Sequence, residues 1–179
     1  MDNTKKIRRM AKLSMLCALS VILVYFVHFP LFPAVAFLEY DPADISVLIG
    51  TFAFGPWAGI ALTLAVSLVQ GLTVSAQSGW YGIIMHVIST GVLALCSGLI
   101  YKRFHHRKGA VLALSAGTLA MTFAMFFANL VITPLFMSVD RAVVLQLMPF
   151  ILLFNLCKAG INSVLTFVLY KRVADFIRK

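Results

Sequence analysis

Long apolar stretches, separated by short polar breaks, fill nearly all of the 179 residues. A helix needs roughly 20 apolar residues to cross a bilayer. The first stretch covers about Leu13 to His28 and ends where "HFPLFPAVAFLEYDPAD" brings Pro30 and Pro33 and the acids Glu39, Asp41 and Asp44. A short second one covers about Ile45 to Phe54. "GPWAG" then reads as a tight turn, with permissive Gly55 before Pro56 at the first position of a new helix. The third stretch covers about Pro56 to Thr73, the fourth about Trp80 to Tyr101, and the fifth about Gly109 to Thr133, where Pro134 is expected to stop it. The sixth covers about Pro149 to Tyr170, with the residues from Arg141 onward read as a loop or an early helical turn. The pattern predicts an all-α membrane protein: a six-transmembrane-helix bundle forming a single domain over residues 1–179.

Composition agrees with the pattern. The chain is 61% hydrophobic and 12% charged, with mean hydropathy +0.98, which a soluble domain of this size does not need. The first apolar run is span-length and no small-residue cleavage pattern follows it, so it does not read as a secretory signal peptide. The net charge of +9 is concentrated. All but Arg141 and Lys158 of the Lys and Arg residues fall in three clusters: Lys5 to Lys12, Lys102 to Lys108, and Lys171 to Lys179. Six spans would put all three on one side with both termini. The positive-inside rule makes that side cytoplasmic, in a multi-pass membrane protein. The charge therefore reads as a topology signal rather than a nucleic-acid patch. Cys17, Cys96 and Cys157 are isolated in apolar runs and read as packing residues; His105 and His106 read as solvated loop residues, and no metal site is expected.

Small residues repeat every four positions at Ala116, Ala120, Ala124 and Ala128, at Thr90, Ala94 and Gly98, and at Ser14 and Ala18. Such stripes let helices approach closely in lipid. Internal packing accounts for most of them, and the first-span pair is the best candidate for docking a partner.

The chemistry centres on "FNLCKAGIN". Lys158 stands about nine residues beyond Pro149, roughly 13 Å into the sixth span at 1.5 Å per residue. An ionisable group at such depth usually faces a partner or a functional cavity. No Asp or Glu lies within any of the expected spans, so no carboxylate partner is expected. Asn155 and Asn162 share the helical face of Lys158, and Asn129 lies near the end of the fifth span at similar depth. Amides donate and accept at once, whereas Lys only donates, so Asn129, Asn155 and Lys158 together suit a flat, acceptor-rich, mainly neutral ligand. For Asn162 helix-to-helix bonding is the favoured reading. The loop residues Phe29, Phe32, Phe37 and Leu38 would close the site or else lie in the interfacial belt. Gln77, Trp80, Tyr81 and His86 are weaker lining candidates, His86 being favoured as a satisfied interface residue.

What is missing narrows the function. The chain has no G-x-x-x-x-G-K-[ST] loop and so does not hydrolyse ATP itself. It has no Ser/His/Asp set, no H-E-x-x-H and no clear inverted repeat. A binder without an engine implies partner subunits.

"FLEYDPADISVLIGTFAFGPWAGI", "ANLVITPLFM" and "FNLCKAGINSVLTFVLYKR" resemble the substrate-binding S components of energy-coupling factor (ECF) vitamin transporters, most closely the riboflavin-specific type. The resemblance covers nearly the whole chain. It implies a six-helix bundle that binds riboflavin from outside as its transported ligand, with no cofactor. It also implies association with a transmembrane coupling subunit and two cytoplasmic ATPase subunits. On this basis Asn129, Asn155 and Lys158 would bond the isoalloxazine ring, which would supply Lys158 with acceptors that the protein lacks. Phe37 and Leu38 would cover the ring, and Ser14-x-x-x-Ala18 stands where the family docks its coupling subunit through A-x-x-x-A. Ser46 stands where these sequences commonly carry Pro. The competing expectations are an S component for another vitamin or precursor, an enzyme or Schiff-base photoreceptor built on Lys158, and a ligand-free scaffold.

Overall fold

The structure, a computed structural model, describes residues 3–178, and side chains as far as residue 173. Lys179 and the side chain of Arg178, both assigned above to the third basic cluster, lie outside it. Among the described residues six α-helices follow one another: α1 Asn3–Phe26, α2 Ala43–Phe54, α3 Pro56–Leu72, α4 Gly79–Arg103, α5 Arg107–Met137 and α6 Arg141–Arg178. Four of them, α1, α4, α5 and α6, are long and apolar enough to cross a membrane; α2 and α3 have 12 and 17 residues and are shorter. Between α1 and α2 the loop forms a short antiparallel pair, β1 Phe29–Pro30 with β2 Glu39–Tyr40.

Two expected boundaries are corrected. Pro134 does not stop the fifth helix, which runs on to Met137 and ends at Ser138 in the left-handed conformation (φ 54°). Pro149 does not begin the sixth, which starts at Arg141, so of the two readings of that stretch the helical one holds and the loop does not. Proline is tolerated inside membrane helices because neighbouring groups satisfy the freed carbonyl. Lys158 therefore lies 17 residues into its helix (158 minus 141), about 25 Å along the axis.

The short helix α2 is the centre of the bundle. Every residue from Ala43 to Phe52 is buried, so it presents no lipid face, and α1, α3, α4 and α6 pack around it. Small residues allow this. A Cβ on Gly98 of α4 would lie 2.9 Å from the Cα of Pro56 and 2.6 Å from Cγ2 of Thr51. Thr90 and Ala94 of the same stripe are also buried, so that stripe packs internally. On α5, Ala128 is buried and Ala116, Ala120 and Ala124 are half-buried. Gly55, at φ 96°, makes the sharp turn from α2 into α3 that the sequence led us to expect.

The basic clusters gather at one end. Arg9 donates to the Phe54 carbonyl at 3.2 Å and lies 5.9 Å from its ring centroid, which ties α1 to the α2–α3 turn. Beside it Phe52 stacks on Tyr101 at 4.1 Å, and Tyr101 meets Tyr170 of α6 edge-on at 5.9 Å. The three cysteines are free and half-buried, and no metal-ligating cluster occurs among the described residues. His106 caps α5 by accepting from the Gly109 N–H.

Candidate functional site

At the opposite end the first loop folds inward. Phe32, Phe37 and Leu38 pack on a cluster of Val35, Val144, Met148 and Ile151 that fixes the loop against α6. Ser20 of α1 donates to the Ala43 carbonyl at 3.1 Å, anchoring the loop's far side. Beneath the loop is a cavity of about 970 Å³, counting the space at its mouth. Its walls come from the loop (His28, Phe37, Leu38, Glu39, Asp41) and α3 (Ser67, Gln70, Gly71). The α3–α4 connection adds Ser75 and Ser78, and α4 adds Tyr81, Gly82, Met85, His86 and Ser89. Met121, Met125, Ile132, Thr133 and Phe136 of α5 and Phe154, Asn155 and Lys158 of α6 complete it.

Lys158 has a partner, which corrects the expectation drawn from the sequence. Its Nζ donates to Asp41 Oδ2 at 2.7 Å, and both side chains are buried. Asp41 in the loop and Asp44 in the first turn of α2 are 4% and 0% exposed. The ring of a ligand is thus not needed to supply the first acceptor for Lys158. The ammonium has three N–H groups, and this bond uses one. Burial pushes the Asp41 carboxyl up, but the Lys158 ammonium, helped by the His86 ring and the Ala43 N–H, outweighs it and holds the group below its ordinary value.

A polar seam joins loop, α2, α4 and α6 around this pair. Asn162 Nδ2 donates to the Asp41 carbonyl and to Asp44 Oδ2, each at 3.0 Å, and its Oδ1 accepts from the Tyr40 hydroxyl at 2.9 Å. Asp44 Oδ1 accepts from Thr90 at 2.6 Å, and Asp41 Oδ1 accepts from the Ala43 N–H at 3.1 Å. Asn162 is fully engaged here and is absent from the cavity wall.

The remaining candidates divide. Asn155 lines the cavity; its Nδ2 donates back to the Ile151 carbonyl at 2.8 Å, and its Oδ1 accepts from no described residue. Asn129 does not line it. Its Nδ2 donates to the Met125 carbonyl and its Oδ1 accepts from Thr133, both at 2.8 Å, so Thr133 stands between it and the cavity. Phe37 and Leu38 line the cavity. Gln77 and Trp80 do not: both are exposed, Trp80 by 70%. The glutamine on the wall is Gln70, and Tyr81 rather than Trp80 lines the cavity. His86 bonds Ser67 Oγ through Nδ1 at 2.8 Å, while its buried Nε2 has no partner. Gln70 and Asp41 were missed; the signal for Asp41 was its place two residues before a short helix that is buried from Ala43 to Phe52. Ser14 and Ala18 are exposed along an apolar groove between α1 and α3.

A family model described as "ECF transporter, substrate-specific component" matches residues 8–170. Riboflavin transporter FmnP of Bacillus subtilis is 28% identical over 97 residues, which is 54% of this chain and 51% of that protein, so the match spans about half the relative's length. Riboflavin transporter RibU of Staphylococcus aureus is 28% identical over 150 residues, 80% of this chain and 78% of the relative. A solved structure described as "Structure and mechanism of the S component of a bacterial ECF transporter" has a TM-score of 0.82 and 26% identity, covering 97% of this chain and 99% of its own.

Proposed function

The chain belongs to the substrate-specific components of ECF transporters, and from that premise we propose that its ligand is riboflavin. The family is membrane-embedded and serves transport rather than enzymatic catalysis; its members associate with coupling and ATPase modules. In our reading the chain crosses the membrane six times with the basic end and both termini in the cytoplasm. It captures the vitamin from outside, beneath the first loop. A coupling subunit docks on α1 at Ser14 and Ala18, and two ATPase subunits supply the energy.

The observation that carries the ligand assignment is the shape and chemistry of the cavity. Met121, Met125, Phe136 and Phe154 give an apolar, polarisable slot for a flat ring. On the same side, Asn155 offers a free carbonyl oxygen and Lys158 its remaining N–H groups, a match for the alternating N–H and C=O edge of the isoalloxazine ring. Asn129 acts one layer back, by holding Thr133 on the wall. Phe37 and Leu38 cover the ring from the loop. The names of the two relatives above support the same ligand. Another flat, neutral vitamin is the second reading; it is favoured by Asn129, which the structure keeps off the cavity wall.

A Lys158 Schiff base does not fit. Asp41 supplies the carboxylate counter-ion that such a site would need, so the lack of one is no objection. The better objection is that an ammonium held in a 2.7 Å ion pair is protonated and is not a nucleophile.

The test is an absorption spectrum of the protein purified in detergent from riboflavin-fed cells. Flavin bands near one equivalent per chain are expected. A colourless protein that also fails to quench added riboflavin's fluorescence would remove the assignment and leave the second reading.

A further inference from the structure

The two sides of the cavity differ in chemistry. The α5–α6 side is Met and Phe with Asn155 and Lys158. The α3–α4 side, with Tyr81 and Met85 as its large residues, is richer in neutral polar groups. From α3 it takes Ser67 and Gln70, three residues apart; from α4 it takes His86 and Ser89, also three apart, with Ser75 and Ser78 at the connection. That spacing puts each pair on one helical face. Among the described residues of α3 and α4 that line the cavity, only His86 is titratable or charged besides Tyr81.

Two atoms on this side are buried without partners: Gln70 Oε1 and His86 Nε2. Native interiors rarely leave such groups unpaired. The role of Nε2 follows from the other nitrogen, which is engaged with Ser67 Oγ at 2.8 Å. If Ser67 donates to Nδ1, Nε2 carries the proton and donates. If Nδ1 donates to Ser67, Nε2 accepts. A hydroxyl satisfies either tautomer, because it donates and accepts. Gln70 Nε2 donates to Ser75 Oγ at 3.4 Å, which leaves Oε1 in need of a donor. A hydroxyl supplies one; a carboxylate or phosphate does not. A reversed amide would present a donor instead, which a hydroxyl also satisfies.

We propose that the α3–α4 wall, centred on Gln70 and His86, reads the hydroxyls of a polyol arm while the α5–α6 wall takes the flat ring. The assignment rests on the riboflavin reading above, riboflavin being a ring that carries a four-hydroxyl ribityl chain.

Lumiflavin keeps the ring and replaces that chain with a methyl group, so it separates the two walls. The parent, His86→Phe and Gln70→Leu are titrated in detergent with riboflavin and with lumiflavin, by flavin fluorescence. The expected result is that each substitution weakens riboflavin about tenfold, the scale of one lost hydrogen bond, and moves lumiflavin by less than about twofold. If His86→Phe fails to fold, Gln70→Leu carries the test, its lumiflavin affinity reporting an intact ring site. Equal losses for both flavins, or no loss for either, would overturn the polyol wall and leave the riboflavin reading standing. A parent that binds neither flavin would bring down both.

Discussion

Asn155 and Asn162 sit two helical turns apart on the same face of α6, with Lys158 between them. Asn162 has donors and acceptors filled by the protein: Asp41, Asp44 and Tyr40. Asn155 uses one hydrogen on its own helix and lines the cavity, its carbonyl oxygen accepting from no described residue. One helix face thus carries two kinds of buried polarity. Toward Asn162 it is a closed seam that holds the loop and α2 in place. Toward Asn155 it is left unfinished, as the proposed binding surface requires. Lys158 belongs to both, bonded to Asp41 and lining the cavity. A buried amide in a membrane helix is therefore structural or ligand-reading according to whether the protein completes its bonds.

The largest expected effect comes from breaking the shared residue. Lys158→Met strands the Asp41 carboxylate among buried groups, and breaking a buried pair from one side costs about 3–5 kcal/mol. Thermal unfolding in detergent without ligand should move down sharply. Asp41→Asn added to Lys158→Met should recover much of the loss. A single substitution with unchanged melting would mean that the pair does not hold the loop.

Asn162→Leu should come next. It leaves the Tyr40 hydroxyl and an Asp44 oxygen short of a partner, at about 1–3 kcal/mol for each group left unsatisfied. The loss should appear as melting temperature and as faster protease cleavage within the loop, with any flavin weakening following from it. Asn155→Ala should do the reverse. It removes a cavity-lining amide whose own bond is local, so stability should stay within about 1 kcal/mol while riboflavin affinity falls roughly tenfold. If Asn155→Ala melts early and Asn162→Leu loses flavin without melting, the two roles are exchanged.

The smallest effect concerns pH. The folded Asp41 carboxyl is held below its ordinary value of about 3.9. A depressed carboxylate contributes stability that is present above the unfolded value and lost as pH falls through the folded one. Loop protection from protease should thus be level from pH 7 to about 5 and decline only in stronger acid. A decline centred near pH 6 would assign it to another group, and His86 would be the first to replace.

The helices were legible because apolar length and turn residues are local properties. The Gly55–Pro56 turn, the end of α1 and the polar break before α4 fall where the pattern put them. The two prolines misled because a proline ends a helix only when nothing else satisfies the freed carbonyl, and the sequence does not show the neighbours. The same limit governs the site. Phe37, Leu38, Asn155 and Lys158 could be picked out as apolar or polar groups in the wrong surroundings. Asn129 has the same signature, yet its bonds to Met125 and Thr133 turn it away from the cavity. Gln70 rather than Gln77 reaches the wall, a difference of helical phase and of where α3 ends.

The sequence by itself determined the class, the number of helices and the family, because each rests on residue type and spacing along one chain. It also marked the last helix as carrying an ionisable group that required an explanation. Only the tertiary structure decided what that explanation is. Asp41 is 117 positions from Lys158, and it becomes a partner because α2 is short and buried on every side. Burying that helix draws the acids at its start into the bundle, where charge must be paired.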